Sequence, residues 1–137
     1  MTETPTPITI YHNPDCGTSR NALAMIEAAG YAPTVVKYRT VGWTRPLLEK
    51  LLADMGAAPR DVLRAKGTPA AELGLLDPAV TDDHMLAAML EHPILVNRPI
   101  VVTPKGTKLC RPSEVVLELL DCVPEQFTKE DGEKVRP

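Results

Sequence analysis

One of the three cysteines, Cys16, sits in a polar, turn-forming segment, His12-Asn13-Pro14-Asp15-Cys16-Gly17-Thr18-Ser19-Arg20, just ahead of a helical pattern. Backbone N–H groups at a helix start have no intrahelical acceptor, and the helix dipole adds partial positive charge there; both favour a thiolate over a thiol. An ordinary thiol with a pKa of about 8.5 is only a few per cent ionised at neutral pH, and a fall of about two units makes it mostly nucleophilic. His12 and Arg20 are close enough in the chain to deepen that shift. The same N–H groups also bind anions. One short segment therefore offers both a nucleophile and a cradle for an oxyanion.

Two familiar cysteine templates are excluded by counting. A C-x5-R loop of the phosphatase type needs arginine at position 22, which is Ala22. A C-x-x-C dithiol needs cysteine at position 19, which is Ser19. With no second cysteine in the loop, any covalent intermediate on Cys16 calls for an external thiol such as glutathione.

The elements that position this loop follow from the pattern of apolar residues. Ile8 to Tyr11 reads as a short strand, and a helix capped by Thr18 or Ser19 carries Leu23, Met25, Ile26 and Ala29 before Gly30 closes it. Val35 to Tyr38 reads as a second strand, completing a βαβ unit. The middle of the chain is helical: Thr44 caps a helix bearing Leu47, Leu48, Leu51, Leu52 and Met55 and ended by Gly56. A shorter piece covers Pro59 to Ala65, and a helix opened by Thr81-Asp82-Asp83 follows the turn-rich 67–78 stretch. Ile100 to Val102 and Thr107 to Cys110 read as a hairpin turning at Pro104-Lys105-Gly106. Pro112 and Ser113-Glu114 start a last helix through Leu120. The order βαβ, helices, ββα predicts an α/β fold with a thioredoxin-like mixed sheet and a helical insertion between its halves. A single domain is expected over residues 1–137, with 1–7 as a flexible tail and 123–137 as a peripheral extension.

In such a fold the proline entering the third strand, here Pro99, lies beside the cysteine loop in the cis form, so Arg98 should face the thiol. Arg98-Pro99 and Arg111-Pro112 frame the hairpin, and proline restricts the backbone of both arginines. A guanidinium suits a tetrahedral oxyanion because its fork makes paired hydrogen bonds and never loses its charge.

The segment Tyr11 to Asn21 resembles the cysteine loop of the glutathione/glutaredoxin-coupled arsenate reductase family. His92 to Pro104 is similar to that family's second signature and Leu109 to Glu114 to its third; the tail Phe127 to Lys134 is similar to longer members. The likeness runs from about Ile8 to Val135, specific in the three signatures and looser from Arg39 to Val80. It implies that Cys16 attacks arsenate to form a thiolate–arsenic adduct, that His12 favours the thiolate, and that Arg64, Arg98 and Arg111 bind the anion. Arg60 stands four residues from Arg64 and competes for that third place. It further implies glutathione as a co-substrate that reduces the adduct, glutaredoxin as the partner that clears the mixed disulfide, and no tightly bound cofactor. The alternatives are a non-enzymatic thioredoxin-like regulator and a general glutathione-dependent thiol transferase. Regulators of that kind carry C-x-x-C, and neither alternative has a use for three arginines.

The composition of the 137-residue chain agrees with a packed enzyme domain: 44% of residues are hydrophobic and 24% charged. Its formal charge of −3 speaks against nucleic acid as a partner, so cations for an anionic substrate must be gathered locally. Residues 1–7 lack the basic start and apolar run of a signal peptide, no stretch suits a membrane span, and three separated cysteines suit free thiols in a reducing compartment, so a cytoplasmic protein is expected. No metal centre is expected, because His12 and Cys16 find no second pair at ligand spacing. His84, His92, Trp43, Cys110 and Cys122 read as structural.

Overall fold

The computed structural model describes residues 7–121, 127–129, 132 and 134–135. The N-terminal tail expected over 1–7 therefore lies outside the described residues except at Pro7, and so do Cys122 and much of the expected C-terminal extension. The chain forms two compact units, one built from 1–37 and 98–137, the other from 38–97.

The first unit holds a four-stranded mixed sheet of β1 (Thr9–His12), β2 (Thr34–Lys37), β3 (Ile100–Thr103) and β4 (Gly106–Leu109), in the order β2-β1-β3-β4. β1 is central. It pairs parallel with β2, bringing His12 opposite Lys37, and antiparallel with β3, bringing Ile10 opposite Val101. β3 and β4 form the expected hairpin, with Thr103 opposite Gly106. Between β1 and β2 runs α1 (Gly17–Ala28), the βαβ crossover. Its buried Ala22, Met25 and Ile26 lie at i, i+3 and i+4, one helical stripe. They pack with Ile8, Ile10, Val101, Cys110, Val116, Leu119 and Leu120 into one apolar core. Gly30, at φ +95°, ends α1: its N–H goes to the Glu27 carbonyl and that of Tyr31 to Ile26, a Schellman closure that glycine makes without strain. The fold class is thus the thioredoxin-like arrangement expected from the sequence.

The second unit is the helical insertion. It contains α2 (Tyr38–Val41), α3 (Arg45–Met55), α4 (Asp82–Glu91) and short 3-10 turns at Pro59–Val62 and Pro93–Leu95. Thr44 caps α3 and Thr81 caps α4, each side chain accepting a backbone N–H three residues on. Arg45 of α3 is ion-paired with Asp83 of α4. Tyr38 is fully buried, donates to the Val96 carbonyl at 2.9 Å and stacks on Trp43, the packing role expected for the tryptophan.

Three local expectations change. Tyr38 opens α2 instead of ending β2, its ring and hydroxyl being committed to Trp43 and Val96. The last helix, expected as α, is a 3-10 helix over Ser113–Leu119. Its buried residues Ser113, Val116 and Leu119 recur every third position, the period of that tighter helix. Helix α1 starts two residues before Ser19, with Cys16 as its N-cap and no side-chain cap bond.

Candidate active site

The earlier start of α1 decides the chemistry of Cys16. At φ −104° and ψ 120° its backbone is extended, its N–H donates to the Asn13 carbonyl at 3.0 Å, and its own carbonyl accepts the first helical bond from Arg20. The side chain is thereby held over the first turn, where the N–H groups of Gly17, Thr18 and Ser19 have no helical acceptor. The residue is nearly fully buried, with Cys16 8% exposed.

The cations of the C-terminal half of the first unit reach the same sulfur. Arg111 Nη1 lies 3.7 Å from Cys16 Sγ and donates a 2.8 Å hydrogen bond to the Arg98 carbonyl. Arg98 is itself buried. Both arginines precede cis prolines, Pro99 and Pro112. Burial works against ionisation of Cys16, but the Ser19 backbone N–H, hydrogen bonds from Arg98 and Arg111, and the nearby Arg98 charge outweigh it and bring the thiol down to about 7. Cys110, the residue before Arg111, gives the opposite case. Buried in the core, it is pushed up to about 12, chiefly by loss of solvation, and is a packing thiol.

His12 enters differently from a direct charge partner of the sulfur. Its ring is buried at the end of β1, and Nδ1 is 2.6 Å from Ser19 Oγ. Burial, reinforced by Lys37 and Arg20, lowers its pKa below the usual histidine value, so the ring is neutral near pH 7. Lys37 follows from the parallel register that sets it opposite His12, and Arg20 clamps the loop by donating to the Pro14 carbonyl at 2.7 Å. The Asn13 side chain accepts the Asp15 N–H, which tightens the turn before the cysteine.

Cys16, Arg98 and Arg111 are therefore brought together, and His12 joins them through Ser19. Arg64 belongs to the second unit, where its N–H donates to Leu95 and its Nε to the Lys66 carbonyl at 3.2 Å. Arg60, its rival, has its Nη2 shared among the carbonyls of Asp77, Pro78 and Val80, at 3.1 to 3.4 Å. That is the geometry of a loop clamp. The residues that sequence reading missed are Ser19, read as a helix cap or as an absent cysteine, and Asn13, read only as a turn former. The signal for Ser19 was spacing alone: once the loop curls back, a hydroxyl seven residues after a histidine at a strand end falls against its ring.

Comparison with known proteins points the same way. The model of the ArsC family matches residues 11–119. The arsenate reductase ArsI2 of Synechocystis sp. is 62% identical over 129 residues, covering 93% of this chain and 92% of that protein. An arsenate reductase of Escherichia coli is 60% identical over the same length, with 93% and 92% coverage. Among solved structures, the arsenate reductase from Vibrio cholerae superposes with a TM-score of 0.80 at 41% identity, covering 85% of this chain and all of that one.

Proposed function

The chain belongs to the ArsC family, and from that premise we propose that it reduces arsenate to arsenite through Cys16, with glutathione as the co-substrate and glutaredoxin as the resolving partner. The observation that carries this reading is the Cys16 thiol lowered to about 7 beneath two guanidinium groups, a nucleophile and an anion receptor in one place.

In the proposed sequence the Cys16 thiolate attacks arsenic, forming an S–As bond while one arsenate oxygen takes up protons and leaves as water. Arg98 and Arg111 hold the remaining oxygens, where negative charge gathers in the transition state. The family resemblance assigns a third anion contact to Arg64. The glutathione thiolate then attacks Cys16 Sγ. The S–As electron pair departs with arsenic, which falls from As(V) to As(III), and the two sulfurs become a mixed disulfide. A glutaredoxin thiolate attacks the glutathione sulfur and returns Cys16 as a thiolate. Ser19 in the place of a second loop cysteine supports this external resolution over an internal disulfide. Such thiol exchange belongs to a reducing compartment, the cytoplasm. No helix among the described residues is long and apolar enough to cross a membrane.

The test is arsenate-dependent NADPH oxidation in an assay coupled through glutathione, glutathione reductase and glutaredoxin, with Cys16→Ser as control. Turnover that needs glutaredoxin and Cys16 is the expected result. Equal turnover with thioredoxin alone overturns the coupling, and no arsenate-dependent oxidation overturns the activity.

A further inference from the structure

We propose that Ser19 is a positioning residue for the Cys16 nucleophile and that His12 acts on the sulfur only through it, by holding the Ser19 hydroxyl with Nδ1. The inference rests on the reading of Cys16 as the nucleophile and concerns how the loop is kept in its reactive shape.

Three hydrogen bonds form a chain that runs from His12 to the cysteine. The Ser19 hydroxyl meets His12 Nδ1 at 2.6 Å and accepts the Asn13 N–H at 3.1 Å. The Asn13 carbonyl accepts the Cys16 N–H at 3.0 Å. The Ser19 backbone N–H, at the same helix start, is among the groups that lower the Cys16 thiol. His12, Asn13 and Ser19 are 4%, 1% and 0% exposed, so water does not compete for these bonds and each group depends on the others.

The proposed division of roles takes the Ser19 hydroxyl as the donor to His12. The hydroxyl has one proton and accepts from Asn13; directed at His12, that proton requires Nδ1 to be the acceptor and places the ring proton on Nε2. A neutral ring in this tautomer offers the thiolate no charge. It fixes the hydroxyl rotor, the rotor fixes Asn13, and Asn13 fixes the backbone of Cys16. The side chain at position 19 thus stands in the dithiol position of related folds but faces the strand end, leaving the thiolate to its amide.

The experiment follows the pH dependence of carboxymethylation at Cys16 by peptide mass spectrometry in wild-type, Ser19→Ala, His12→Gln, His12→Asn and Ser19→Ala/His12→Gln proteins. Ser19→Ala is expected to move the half-point of about 7 upward by about one unit, cutting the rate at pH 7 roughly five-fold. His12→Gln should do the same, and the double variant should be no slower than the slower single. His12→Asn keeps an acceptor near Nδ1 and should restore the wild-type profile. An unmoved half-point in Ser19→Ala, additive losses in the double variant, or an equal loss in His12→Asn and His12→Gln overturns the proposal. A His12→Asn protein that reacts like wild type supports it even where Ser19→Ala does not fold. Alkylation needs no arsenate, so this readout stands apart from whether the chain reduces that anion.

Discussion

Arg111 reaches Cys16 across 95 residues of sequence, its Nη1 lying 3.7 Å from Sγ while the same nitrogen holds the Arg98 carbonyl at 2.8 Å. One guanidinium therefore serves the nucleophile and also fixes the backbone that carries the second arginine. Removing it should cost more than one contact. Arg111→Ala is expected to lower kcat/KM for arsenate by at least about 100-fold, the scale of losing a preorganised donor to developing charge. Arg111→Lys should recover little, since a point-like ammonium lacks the guanidinium's fixed paired donors for a tetrahedral oxyanion. Steady-state kinetics beside arsenate protection against thermal unfolding separate lost catalysis from lost binding.

The ionisation of Cys16 makes a signed prediction about pH. Its folded pKa of about 7 lies below the ordinary thiol value of about 8.5 to 9. Between those values the unfolded chain carries a proton that the folded chain has released, so folding stability should rise with pH from about 7 to 9 and be lost as pH falls through 7. Cys16→Ala should remove that slope. Denaturant unfolding at intervals across this range checks it; parallel curves for the two proteins would show that the thiol is not depressed in the folded state.

The parts of the site that could be read from the chain were the local ones. A turn-forming loop before an apolar stripe places Cys16 at a helix start, and an Arg-Pro pair before a β-rich run places Arg98 at a strand entrance. Thr44 and Gly56 bracket α3 because capping chemistry depends on two or three adjacent residues. What escaped depends on contacts across the fold. The partner of His12 is set by how tightly 13–16 curls, which no periodicity encodes. Tyr38 leaves its strand for a carbonyl 58 residues away. Arg60 and Arg64 stand four residues apart, and spacing alone does not rank them as anion ligands.

Cys110 should behave as the inert counterpart of Cys16. It lies in the apolar core, wholly buried, with its thiol raised to about 12. Native protein treated with iodoacetamide at pH 7.5 should be modified at Cys16 and not at Cys110, whereas denaturant should expose both. Cys110→Ala should retain arsenate turnover while losing on the order of 1 kcal/mol of stability through the small cavity left behind. Rapid native labelling of Cys110 would mean that this part of the core opens.

The two arginines of the middle segment should separate cleanly by readout. Arg60 spends Nη2 on the carbonyls of Asp77, Pro78 and Val80, which pins the end of the loop leading into α4. Arg60→Ala should therefore cost about 1 kcal/mol of stability, the usual net worth of such bonds near solvent, with arsenate KM within about two-fold of wild type. The Arg64 Nε donates to the Lys66 carbonyl at 3.2 Å, two residues along the chain. If it supplies the third anion contact, Arg64→Ala should raise KM about ten-fold or more with little change in the unfolding midpoint. Kinetics and thermal melts on the two single variants decide the matter, and a raised KM in Arg60→Ala alone would exchange the roles of the two residues.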